Sequence, residues 1–146
     1  MAVEITRAEI WVGELEDRPG ALASTLAKVM MIAGADLDFV LVRPEADSPG
    51  QSVLFVTPLL GPEQIQAARD AGLRCSDSMH ALRLECPDRP GLAAGLAGTL
   101  AQADINIVGM SAAATKGNAL AYLRFATEAE AEEAVSVLAN RLTAET

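Results

Sequence analysis

The turn Asp17-Arg18-Pro19-Gly20-Ala21 recurs as Asp88-Arg89-Pro90-Gly91-Leu92, four of its five residues unchanged, 71 positions further along a chain of 146. A repeat at that spacing divides the chain almost in half. The expected fold is therefore one supersecondary unit used twice, with units at 1–76 and 77–146. Each half has about 70 residues, enough for a small core of its own.

Each turn follows a stretch of strand character, Ala8 to Leu15 and Met79 to Cys86. In the second, Leu82 and Leu84 alternate with Arg83 and Glu85, the period of two that buries one face. Trp11 shares the parity of Leu82, while Ile10 and Val12 give the first strand a second apolar face, as in a covered sheet. Behind the turns, Leu22, Leu26 and Val29, then Leu92, Leu96 and Leu100, recur at spacings of three and four, which marks amphipathic helices packed on a sheet. The next similar segments, Ala35-Asp36-Leu37-Asp38-Phe39 and Ala103-Asp104-Ile105-Asn106-Ile107, lie 68 apart, which assigns copy one three extra residues between turn and strand.

Second strands are expected over Leu37–Arg43 and Ile105–Ala114, and third strands over Ser52–Thr57 and Ala119–Phe125. Lys116-Gly117-Asn118 is short enough for a hairpin turn, whereas Pro44–Gln51 reads as a longer, more mobile surface loop. Second helices follow over Pro62–Ala71 and Glu128–Asn140, the latter opened by a capping box of Thr127 and Glu130. Leu73–Ser76 can supply a fourth strand in copy one. In copy two only Arg141–Thr146 remain, so its fourth strand is expected to be short or absent. The class is α+β: two ferredoxin-like βαββαβ units with antiparallel sheets and helices on one face.

Composition narrows the function. Eleven Lys and Arg against twenty Asp and Glu give a net charge of -9, which repels phosphate backbones and anionic lipid, so neither nucleic acid nor membrane is an expected partner. The N-terminal residues lack a basic stretch followed by an apolar one, and no apolar run approaches the roughly 18 residues of a membrane span, which points to the cytoplasm. With 51% hydrophobic but only 3% aromatic residues, the core must be built of Ala, Leu, Val and Ile. Cys75 and Cys86 have neither zinc-site nor disulfide-framework spacing and read as small buried hydrophobes.

No catalytic constellation emerges. His80, the only histidine, shares strand parity with Leu82 and Leu84 and reads as a packing residue. The acids of Glu128–Glu133 lie outside the buried stripe of Ala131, Ala134, Val135 and Leu138. There is no Walker loop, and Gly91–Gly98 lacks the spacing of a dinucleotide fingerprint. No cofactor or metal is expected.

The order of elements, the paired turns and the Asp-Leu-Asp and Ile-Asn-Ile strand starts resemble the ACT family of amino-acid-binding regulatory domains over nearly the whole chain. In that family a glycine-bearing turn lies against the second strand of a neighbouring unit, and an amino acid often binds where they meet. The resemblance implies ligand positions at Asp17, Arg18, Pro19, Gly20, Ala21 and Leu22 with Asp36, Leu37 and Asp38 in copy one. In copy two it implies Asp88, Arg89, Pro90, Gly91 and Leu92 with Ile105, Asn106 and Ile107. The first amides of a helix are unpaired and electropositive, and glycine admits a carboxylate close to the backbone, so Gly20 and Gly91 could each seat an α-carboxylate. Asp36, Asp38 and Asn106 are candidate acceptors for the ammonium. The same turn is also an ordinary way to start a helix, and Arg18 and Arg89 are placed to pair either with a ligand or with Glu16 and Glu85.

The resemblance thus implies a non-enzymatic regulatory protein, a homodimer, that binds a small molecule, an amino acid, where ACT units meet. Two other readings stand beside it: a regulatory subunit docked on a partner enzyme of biosynthesis, and a small enzyme of ferredoxin-like fold.

Overall fold

The computed structural model describes residues 3–144, which divide into two compact units, each with its own antiparallel sheet and helices. The first described strand, β1 (Glu4–Ala8), does not join the residues that follow it. One unit is Glu9–Ser76, and the other runs from Asp77 onward and takes β1 with it.

The first unit contains β2 (Trp11–Glu16), α1 (Ala21–Leu26), β3 (Phe39–Pro44), β4 (Gln51–Thr57), α2 (Gly61–Asp70) and the two-residue β5 (Arg74–Cys75). Its sheet order is β3-β4-β2-β5, the order of a ferredoxin-like unit. Alternation dictates the core: Trp11, Leu15, Leu54 and Val56 point from the sheet toward Val29 and Ala68 of the helices. Ile10, Val12, Val53 and Phe55, of opposite parity, are buried as well.

The second unit contains β6 (His80–Pro87), α3 (Leu92–Gln102), β7 (Gly109–Thr115), β8 (Asn118–Phe125) and α4 (Glu128–Ala144), in the order β1-β6-β8-β7. Strand β1 occupies the edge that the expected fourth strand would have taken. It pairs antiparallel with β6 from Glu4↔Glu85 to Ala8↔Ala81, and Ile5 packs against the core of Leu82, Leu84, Leu96, Leu123 and Phe125. Arg7 fastens this strand: both terminal nitrogens donate to the Glu128 carboxylate, at 2.5 and 2.9 Å, and Nε donates to the Ala81 carbonyl.

Three expectations therefore change. Strand β1, Glu4–Ala8, belongs to the second unit rather than to a unit spanning 1–76, and the strand expected over Ala8–Leu15 is interrupted before Trp11. The edge expected for the fourth strand of the second unit is taken by a segment more than 70 residues upstream, while Arg141–Ala144 continue α4 and 145–146 lie outside the described residues. The second strands begin at Phe39 and Gly109, so Asp36–Asp38 and Ile105–Ile107 lie in the connections that precede them.

The internal correspondence changes too. Trp11 pairs with Val56 and Leu82 with Leu123, while Val40 pairs with Val56 and Met110 with Leu123, so the second strands correspond at an offset of 70 and the third at 67. Exposure agrees: Ala35 (5%) corresponds to Ile105 (4%) in the core. One extra residue, not three, separates turn from strand in copy one. The remaining three sit in the β3–β4 connection, where a two-residue Lys116-Gly117 turn suffices in copy two. That longer loop is braced by backbone bonds from Glu45 N–H to the Gln51 carbonyl and from Gln51 N–H to the Ser48 carbonyl.

Where the single residue goes is visible in the first helix. After Leu26 it widens into a π-helix, Ala27–Ile32, which holds an additional residue per turn without displacing the ends. Ala35 N–H then reaches the Val29 carbonyl at 3.0 Å, where Ile105 N–H reaches that of Leu100 at 2.9 Å, one residue nearer in sequence. Both helices end on a left-handed residue, Gly34 (φ 76) in one and Asp104 (φ 60) in the other.

Candidate functional site

A candidate site lies at the repeated turn of the second unit. Strand β6 ends at Pro87, Asp88 N–H donates to the Gly117 carbonyl of the β7–β8 turn, and the chain enters α3 through Gly91 in the left-handed region (φ 82). No side chain caps this helix and no acid occupies its first turn. Leu92 N–H donates to the Arg89 carbonyl, and the first bond of α-helical type runs from Gly95 N–H to Gly91, so the amides of Ala93 and Ala94 precede the ladder. A Cβ at Gly91 would meet nothing within 4 Å, so glycine is used here for its left-handed backbone rather than for lack of space.

A cavity of about 310 Å³ lies at this point, between Asp88, Arg89 and Gly91 of the turn, Leu92–Ala94 of α3, and Ala112–Ala114 of β7 with Ala119 of β8. Its volume falls at the lower end of the range for small-molecule pockets. The turn residues expected from sequence, Asp88, Arg89, Gly91 and Leu92, thus come together on a common wall. Pro90 is part of the same turn but does not line the cavity. The alanines of β7 were not anticipated; alanine carries no chemical signal, and only the strand register brings them to the cavity.

Ile105, Asn106 and Ile107 lie elsewhere. Strand β7 runs seven residues between them and the turn end of the sheet, roughly 20 Å at the rise of a strand. Ile105 is a core residue, Ile107 is half-buried against the core, and Asn106 is exposed. In the first unit Asp36 takes the place of Asn106 and Leu37 that of Ile107, while Asp38 corresponds to Val108: Asp38 N–H donates to the Thr57 carbonyl as Val108 N–H does to that of Arg124. Asp36 and Asp38 are both exposed.

The first-unit turn has the same course, with Asp17 N–H on the Gly50 carbonyl and Gly20 at φ 90. Its surroundings differ. Arg18 Nε donates to the Glu16 carboxylate, the surface pairing that was one of its two readings. Ala21 is buried and Leu22 half-buried in the core, Pro19 is exposed, and α1 remains regular for only six residues. In the second unit Glu85 is held by Asn118 and by Arg83, which together keep its carboxyl below the usual carboxylate range.

The other ionisable cluster is structural. His80 Nδ1 lies 3.1 Å from a Glu128 oxygen, and the hydrogen bonds from Arg7 and then His80 hold the Glu128 carboxyl below its ordinary range. The Thr127 cap forms in part: Glu130 N–H donates to its hydroxyl at 3.1 Å. Cys86 is buried, which pushes its thiol pKa up. Among the described residues no group of three or more His, Cys, Asp and Glu could hold a metal ion, and no helix is long and apolar enough to cross a membrane.

Residues 80–145 match the family model of the ACT domain. No curated protein matches the chain. Among solved structures, a protein of Bacteroides thetaiotaomicron is similar at a TM-score of 0.75 and 19% identity, over 94% of this chain and 90% of that one. The ligand-free regulatory subunit of aspartate kinase from Thermus thermophilus is similar at 0.62 and 16% identity, over 96% of each chain. A structure of aspartokinase alpha and beta subunits is similar at 0.60 and 18% identity, over 98% of each. At these identities the likeness is one of fold.

Proposed function

With the ACT domain at residues 80–145 as the premise, we propose that this chain is a regulatory protein that binds a free amino acid at the turn of its second unit. The observation that carries this reading is the opening of α3. In a chain of net charge -9, whose helices α2 and α4 both carry acids in their first turns, the first turn of α3 is uncapped and acid-free and faces a cavity. An α-carboxylate is the natural occupant of such a turn.

The ammonium acceptor is Asn106 of a second copy of the chain, since within one unit a strand's length separates Asn106 from the turn. A homodimer that joins ACT units in this way fits the exposed apolar residues of the outermost strands, Val40, Leu41 and Val42 on β3 and Met110 on β7. Ligand and assembly would then be linked: an amino acid held by the turn of one unit and the strand start of another stabilises only the docked arrangement, and assembly tightens binding by the same factor. The first unit acts as a second ACT unit, on the strength of its strand order and the matching burial of 35–40 and 105–110.

The protein performs no chemistry of its own in this reading, and works in the cytoplasm. The likeness to a regulatory subunit of aspartate kinase favours a companion role beside a partner enzyme.

Titration calorimetry of the full chain against the twenty amino acids tests the reading, with Ala94→Asp as the control. An acid at the third helical position caps the helix's own amides, so the variant should keep its melting temperature. It should lose ligand affinity by at least about tenfold through charge repulsion. Binding of no amino acid, or equal affinity in the variant, would contradict the proposal.

A further inference from the structure

The cavity at the α3 turn continues inward between the helix and the sheet. An apolar slot of about 30 Å³ shares Leu92, Ala93, Ala112 and Ala119 with the outer cavity, so the two are contiguous. Its deep wall is Leu84, Cys86 and Leu96, none more than 2% exposed. No residue that lines it carries a charge at neutral pH. Burial keeps the Cys86 thiol protonated, so that even the sulfur acts as an apolar surface.

A group that entered this slot would leave water for a wall without hydrogen-bond partners. A hydroxyl, amide, carboxylate or ammonium would lose its hydration uncompensated, whereas methyl groups gain by the same transfer. The volume is about a fifth of that of a cavity that holds benzene, so the slot admits methyl groups but no aromatic ring. Ala93 lines both the slot and the outer cavity, so a carboxylate seated on the first turn of α3 lies close to the mouth of the slot.

The geometry points to an aliphatic amino acid of valine, isoleucine or leucine type as the ligand of the second unit, its carboxylate on the first turn of α3 and the methyl end of its branched side chain in the slot. This rests on the reading of that turn as an amino-acid site and adds the class of ligand. The first unit is built otherwise. By register Val42 and Leu54 stand where the second unit has Ala112 and Ala121, and Leu15 stands where it has Cys86. These larger side chains occupy three of the positions that line the slot, so selectivity for an aliphatic ligand belongs to the second unit.

The experiment measures affinities of the full chain for L-valine, L-isoleucine and L-leucine against L-serine, L-aspartate, L-lysine and L-phenylalanine. At least one of the first three should bind tenfold or more tighter than each of the last four, the ratio expected of one or two buried methyl groups. If serine, aspartate, lysine or phenylalanine binds as tightly or more tightly, the inference fails while the amino-acid reading stands. If none of the twenty amino acids binds, the reading itself fails. Ala112→Leu, at an exposed position on the rim, should fill the slot and lower aliphatic affinity by about tenfold at an unchanged melting temperature. Ala93→Leu does the same from the helix side and serves if the first variant does not fold. Unchanged affinity in a folded variant of either kind would overturn the assignment.

Discussion

The two units share the strand order of a ferredoxin-like sheet, but they complete it by different routes. The first closes its own sheet with the two-residue β5, which pairs with β2 at Trp11 and Val12. The second closes its sheet with β1, a five-residue strand delivered from far upstream and tied at both ends of its register. The first helix also differs: eleven regular residues in the second unit, against six followed by a π segment in the first. In the second unit the turn before this regular helix opens on a cavity with an apolar slot beneath it. A long α-helix that starts cleanly aligns its first amides on a ligand, and a neighbouring strand of alanines leaves room for one.

The largest test of this contrast removes β1. Deletion of residues 1–8 takes away the ladder to β6 and the packing of Ile5. The second unit should lose roughly 3–5 kcal/mol of stability. Hydrogen exchange would show β6 and β8 weakened and β2 and β4 protected as before. Equal loss in both sheets would mean that the division into units has no energetic counterpart.

A smaller effect is expected at the helix ends. Gly34 and Asp104 occupy equivalent left-handed positions, one with the residue suited to it and one without. Asp104→Gly should stabilise the second unit by roughly 0.5 kcal/mol, and Gly34→Asp should destabilise the first by about 1 kcal/mol, measured by urea unfolding. The opposite signs would break the equivalence of the two positions.

The smallest effect concerns the Arg7–Glu128–His80 cluster of the second unit. The hydrogen bonds from Arg7 and then His80 hold the folded-state pKa of Glu128 below its ordinary value, so the stability it contributes is present above the unfolded-state value and disappears as pH falls through the folded one. Glu128→Gln should therefore lower the melting temperature slightly at pH 7, with the difference from the parent closing in the acid range below about pH 4.5. A difference that persists undiminished at pH 2 would place the effect in packing rather than charge.

Most of the architecture was legible from residues. The repeated turn and the alternation of Leu82 and Leu84 gave the order of elements, and Pro62 and Thr127 marked helix starts close to those of α2 and α4. What escaped were features set by pairing over distance. Strand β1 looks like the beginning of the first unit because it precedes β2, and nothing local in its five residues indicates β6 as its partner. The identity of Ala35-Asp36 with Ala103-Asp104 pulled the alignment of the copies by two positions, whereas burial sets Ala35 against Ile105. A π-helix inserts one residue without any compositional mark, so neither its presence nor its length could be read from Ala27–Ile32. At the site, the turn announced itself through Gly91, but the facing wall of Ala112–Ala114 has no side-chain chemistry to find.

The central claim is that a free amino acid occupies the cavity between the first turn of α3 and β7. A nuclear magnetic resonance titration of the full chain with L-valine, L-isoleucine and L-leucine tests it most directly. The account predicts saturable shifts at the backbone amides of Ala93, Ala94 and Ala112–Ala114, abolished in Ala94→Asp. Saturable binding with those amides unmoved, or shifts confined to the first-unit turn at Gly20 and Ala21, would contradict it.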